Sequence, residues 1–128
     1  MTIERSATIA DGIAVARPRN ITFPLVRNFV DEIVTVDEDH LARAVLTLLE
    51  RTKLVVEPGG AAGVAAILNG LIAPTGPALV LLSGGNIDPL LLQRIIGHGL
   101  VASGRYMTLR IPLPDRPGQL ARVSDVLA

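Results

Sequence analysis

Residues that could do chemistry cluster at "ALVLLSGGNIDPLLLQRII", positions 78 to 96, where one apolar run stops at Ser83-Gly84-Gly85-Asn86 and another starts after Asp88-Pro89. A strand, a glycine turn and a helix in that order is a common way for α/β proteins to build a ligand site. A serine hydroxyl can donate or accept a hydrogen bond, and glycines let a ligand come close to backbone. Taken alone, the same four residues are an ordinary turn, with Asn86 supplying a left-handed conformation and Asp88 capping the next helix. Glu57, in "LVVEPGGAAG", is a second acid beside glycines. It is either a carboxyl in an apolar setting or a partly solvated charge at a helix start. The two histidines, His40 in a charged helix start and His98 in "GHG", carry no motif.

Composition narrows the classes. The 128 residues suit one ordinary domain, and the 49% hydrophobic content supplies ample core material. Aromatics at 2% leave no base-stacking platform, and a formal net charge of zero without a basic run gives nucleic acid or an anionic membrane nothing to bind. The absence of cysteine removes disulfides, thiolate chemistry and Cys-ligated zinc, and no metal site is expected. "MTIERSATIADGIAV" lacks the pattern of a signal peptide, and no apolar stretch is long enough to span a bilayer. A cytoplasmic location is expected.

The elements that must position these residues follow from periodicity. "TFPLVRNFVDE" predicts a short helix with Leu25, Val26, Phe29 and Val30 on one face; "IVTV" (33–36) predicts a buried strand. "DEDHLARAVLTLLERTK" predicts the clearest helix, capped by Asp37, with Leu41, Ala44, Val45, Leu48 and Leu49 inward and Arg43, Glu50 and Arg51 solvated. "PGGAAGVAAIL" predicts a helix whose glycines cost up to about 1 kcal/mol each against alanine, so they are expected to admit the close approach of a backbone or a ligand. "ALVLL" (78–82) has the continuous apolar pattern of a central parallel strand, and a helix follows from Pro89. The pattern then changes. "YMTLRIPL" alternates as an antiparallel strand does, "PDRPG" is turn chemistry, and "QLARVSDVLA" begins an amphipathic helix.

"TIADGIAV", "ERTKLVVEPGGAAGVAAIL" and "LSGGNID", in this order and spacing, resemble the C-terminal part of the catalytic domain of threonine dehydratase (threonine ammonia-lyase). "RYMTLRIPLPDRPGQLARVSDVLA" resembles the first strand and helix of the ACT regulatory domain that follows it in many members. The resemblance implies an α/β fold: part of a tryptophan-synthase-β-like, fold-type II domain over residues 1–104, then the incomplete start of an ACT-like domain over 105–128. It implies the cofactor pyridoxal 5'-phosphate (PLP) and conversion of L-threonine to 2-oxobutanoate and ammonia, by removal of the α-proton and loss of the β-hydroxyl.

Carried over residue by residue, Ser83 matches the hydroxyl that bonds the pyridine nitrogen of PLP, with Gly84 and Gly85 letting backbone pass near the ring. Asp11 and Gly12 match a loop beside the cofactor, and Glu57 an acid on the substrate side. Asp115, Arg116, Pro117 and Gly118 match a loop that contributes to an effector amino-acid site, for which the family suggests isoleucine or valine. The resemblance implies an amino-acid substrate and a homo-oligomer for the complete enzyme.

The sole lysine, Lys53, stands away from the family's Schiff-base motif, and no glycine run exceeds two residues, too short for the phosphate loop. No catalytic residue is therefore assigned, and the chain is expected to be a fragment, inactive by itself. The alternatives are an inert remnant that acts as an interaction partner, or a serine dehydratase or serine racemase relative, which share such turns.

Overall fold

In the computed structural model, residues 7–128 are described. The fold is organised around the helix expected to be clearest, Glu38–Thr52, the second of five α-helices in chain order among the described residues and here α2. Asp37 stays extended, and its carboxylate accepts the His40 amide at 2.8 Å, satisfying a donor the helix itself leaves open. Leu41, Ala42, Ala44, Val45, Leu46 and Leu48 are buried along α2. Helices α3 (Pro58–Leu68) and α4 (Pro89–Ala102) both pack on it. Asp88 caps α4 through the amides of Leu90 and Leu91 at 2.9 and 3.0 Å.

Small residues set the spacing of this three-helix core. Ala42, Ala44, Ala61 and Ala65 are all fully buried beside Val45 and Ile95. At Gly99 of α4, a Cβ would stand 2.7 Å from the Ala42 carbonyl oxygen, so α2 and α4 touch backbone to backbone. Polar contacts tie the same helices at their edges: His98 with Asp39, and Arg43 with Asn69 at 2.9 Å.

Two helices lie outside this core. Helix α1 (Thr22–Phe29) and helix α5 (Gln119–Leu127) bury no residue and pack on no other helix among the described elements. The face expected on α1 exists, but Leu25, Val26, Phe29 and Val30 meet solvent.

The expected strands are absent as ladders. Among the described residues no strand forms at 33–36, 78–82 or 106–113. A strand is defined by a neighbour about 4.8 Å away that takes its amide and carbonyl groups. Helix α3 flanks the 78–82 segment on one side, with Val80 near Gly63, and Leu82 packs on the core. On the alternate positions Leu79 is 93% and Leu81 78% exposed. The period-2 pattern of a strand is thus present with one face bare.

Tyr106, Met107, Leu109, Ile111 and Leu113 are likewise exposed. Apolar surface on this scale should make the isolated 128-residue chain bind a hydrophobic dye and melt over a broad range. A sharp cooperative transition in a monomeric, dye-free preparation would contradict that. Among the described residues no helix is long and apolar enough to cross a membrane.

Candidate functional site

Three separated motifs meet at Glu57. This residue is the extended N-cap of α3, whose first position is Pro58. Proline suits that place because its missing amide would have no helical partner. The Glu57 amide donates to the Gly84 carbonyl at 3.1 Å, which joins the entry to α3 to the Ser-Gly-Gly-Asn turn. The Glu57 carboxylate lies under Gly84: a Cβ there would fall on Oε1 and stand 2.6 Å from the carboxyl carbon. The same Oε1 is 3.4 Å from the position of a Cβ on Gly12, in the 3-10 turn Asp11–Ile13.

The turn itself is pressed between backbones. Gly84 has φ +92°, a conformation that only glycine adopts without strain. Gly85 abuts the Val55 carbonyl, where a Cβ would be 2.7 Å away. On the other side, a Cβ on Gly60 would overlap the Ser83 carbonyl. Ser83 is exposed, and its hydroxyl bonds no group among the described residues, so it is free to reach a ligand.

A cleft of about 190 Å³ opens between the Asp11–Gly12 turn and the start of α3, walled by Asp11, Gly12, Glu57, Pro58 and Gly59; Ser83, Gly84 and Gly85 adjoin Glu57 but do not line it. Asn86, Ile87, Asp88 and Leu91 complete the wall; the sequence reading gave them no part in a site. The signal available for them was their position between the glycine turn and a capped helix. Asp88 holds the expected role of N-cap, its carboxylate occupied by two amides. A larger depression of about 550 Å³ runs along Val15 to Pro24, and no sequence-predicted site residue lines it.

The remaining residues stand apart. Asp115, Arg116, Pro117 and Gly118 are exposed, line none of the cleft, and form the turn before α5, with Gly118 at φ +85°. Lys53 closes α2 in a left-handed conformation, and its ammonium donates to the Glu50 carbonyl at 2.7 Å. It lines none of the cleft. Glu50, expected to be merely solvated, accepts from Arg105 at 2.8 Å. That hydrogen bond, more than the positive charges of Arg105, Arg51 and Lys53, holds the Glu50 carboxyl below its usual range. Its contribution to stability is present above the unfolded-state pKa and is lost as pH falls through the folded one.

The residues present fit part of a pyridine cofactor's needs. The free Ser83 hydroxyl can meet a ring nitrogen, while the side-chain-less faces of Gly84 and Gly85 are taken up by the Glu57 carboxylate and the Val55 carbonyl. No lysine and no glycine cradle for a phosphate stand in the cleft among the described residues.

The family model described as "Pyridoxal-phosphate dependent enzyme" matches residues 1–84, well over half of the chain. The chain belongs to this family. It is similar to the L-threonine ammonia-lyase of Geobacter sulfurreducens, 48% identical over 96% of the chain and 31% of that protein. It is similar also to the L-threonine ammonia-lyase of Thermotoga maritima, 46% identical over 98% of the chain and 31% of that protein. Among solved structures, a threonine deaminase from T.th. superposes with a TM-score of 0.63 at 46% identity, over 69% of the chain and 32% of its own length. The chain thus spans about a third of the length of these members of the PLP-dependent family.

Proposed function

We propose that this chain is the C-terminal part of the catalytic domain of a threonine ammonia-lyase, which turns L-threonine into 2-oxobutanoate and ammonia. The approach of Gly12 and Gly84 to the Glu57 carboxylate, with the Glu57 amide on the Gly84 carbonyl, carries the reading, together with the similarity to threonine ammonia-lyases along almost the whole chain. When bound, PLP supplies the electron sink for α-proton removal. The chain's own share is positional. Ser83 hydroxyl holds the ring nitrogen, Gly84 and Gly85 let backbone pass close to the ring, the Asp11-Gly12 turn lies beside the cofactor, and Glu57 bounds the substrate side. The covalent lysine and the phosphate loop belong to sequence outside this chain.

In the complete enzyme, residues 1–104 complete a fold-type II α/β sheet, in which the bare edge at Leu79 and Leu81 gains neighbours. Residues 105–128 begin an ACT-like regulatory unit, with Asp115 to Gly118 facing an effector amino acid. The enzyme is a cytoplasmic homo-oligomer. Threonine is favoured over serine as substrate because the relatives with this similarity are threonine enzymes.

The experiment is to isolate the native protein carrying "TIADGIAV" from its own cells, record its intact mass, and assay it with threonine and with serine. A mass several times 13.5 kDa, with bound PLP and 2-oxobutanoate formed from threonine, supports the reading. A native species of 13.5 kDa without PLP would refute it.

A further inference from the structure

The contact between α3 and the segment that ends at Ser83 is made by two glycines one helical turn apart, and they are not equivalent. A Cβ on Gly63 would meet Val80 Cγ1 at 2.9 Å, the end of a side chain. A Cβ on Gly60 would overlap the Ser83 carbonyl oxygen, stand 2.8 Å from the carbonyl carbon, and meet Val56 Cγ1 at 3.0 Å. The two pairs run in opposite order, Gly60 with Ser83 and Gly63 with Val80, so α3 is antiparallel to the segment and supports it to its last residue. A valine methyl can yield by a few tenths of an ångström. A peptide carbonyl cannot yield without moving the residue that carries it.

Gly60 is itself fixed. It is buried, it lies in the first turn of α3, and the carbonyl of Glu57 accepts the Ala61 amide at 3.0 Å. Glu57 in turn holds the Gly84 carbonyl. One turn of helix therefore grips the two peptide groups that flank Gly84, the first through the Ser83 carbonyl and the second through the Gly84 carbonyl.

We propose that Gly60 is a positioning residue for the cofactor: by lacking a side chain, it sets the depth at which the Ser83 hydroxyl is presented to the ring nitrogen. This rests on Ser83 being the ring-nitrogen partner. Any side chain at 60 lifts the Ser83 peptide outward and lengthens or breaks that hydrogen bond, whereas one at 63 displaces only a methyl group.

The test compares Gly60→Ala, Gly63→Ala, Ser83→Ala and the double variant Gly60→Ala/Ser83→Ala in the full-length enzyme. PLP affinity is titrated by fluorescence, the bound-cofactor spectrum is recorded, and the melting temperature of each apo form is measured. Gly60→Ala is expected to weaken PLP binding by about tenfold or more, the scale of one lost hydrogen bond to a polar buried partner, with an altered spectrum. Gly63→Ala stays within about threefold of wild type. In the Ser83→Ala background, Gly60→Ala adds little, because the two changes act on the same bond.

Equal effects of the two glycine variants, or additive effects in the double variant, overturn the proposal. So does a Gly60→Ala apo protein that does not fold, since Gly60 would then be an ordinary packing position. Loss of the Ser83 assignment reads differently: Ser83→Ala alone would then leave PLP affinity and spectrum unchanged.

Discussion

Replacing Ser83 by aspartate in the full-length enzyme is expected to slow threonine elimination by about 10- to 100-fold, the equivalent of roughly 1.5–3 kcal/mol in a hydrogen bond that acquires a charge. The structure leaves the Ser83 hydroxyl exposed and without a partner among the described residues, at the end of a segment braced by α3. A neutral hydroxyl facing a pyridine nitrogen leaves that nitrogen largely unprotonated. An aspartate there holds a proton on it by charge. A protonated ring withdraws electrons more strongly and for longer, so threonine should be diverted toward racemisation and transamination. The products to measure are 2-oxobutanoate, the Cα epimer D-allo-threonine and the amino form of the cofactor, beside the pH dependence of the cofactor's absorbance. Unchanged elimination with no new product would show that the group at 83 does not govern the ring.

How much of this was legible depended on whether the signal was local. The caps at Asp37 and Asp88 are local hydrogen bonds, and the sequence placed both correctly. The buried face of α2 followed from the spacing of Leu41, Ala44, Val45 and Leu48, and the structure buries those four. Leu49 was read as inward and is only half-buried, because the helix turns that edge toward solvent.

Strands are not local. "IVTV", "ALVLL" and "YMTLRIPL" have strand composition, but a ladder needs a second segment, and none pairs with them among the described residues. The glycines of α3 were legible in kind: their cost in a helix announced a close approach. Which backbone approached, the Ser83 carbonyl, required a contact 23 residues away in sequence. The Glu50–Arg105 pair was illegible for the same reason, since 55 residues separate Arg105 from Glu50, which by its helix position is a solvated charge.

The convergence on Glu57 gives the second large effect, at Gly84. Gly84→Val combines two penalties. A β-branched residue at φ +92° costs about 1–3 kcal/mol in backbone strain. Its Cβ would also fall on the Glu57 carboxylate, which must swing away from the cleft. The full-length apo enzyme should lose about 2 kcal/mol or more of stability, several degrees in melting temperature for an ordinary domain. PLP affinity should fall further than that loss predicts, because the displaced Glu57 drags on the amide that holds the Gly84 carbonyl.

The two penalties separate in a second variant. Gly84→Val/Glu57→Ala removes the overlap and keeps only the strain, so part of the stability should return even though a further residue has been changed. Gly76→Val is the control, since a Cβ at that position meets nothing within 4 Å. Thermal melts and PLP titrations of wild type, Gly84→Val, Glu57→Ala, the double variant and the Gly76→Val control decide the matter. If the double variant is the less stable by the plain sum of the single changes, Glu57 and Gly84 are not in contact, and the carboxylate does not lie under the turn.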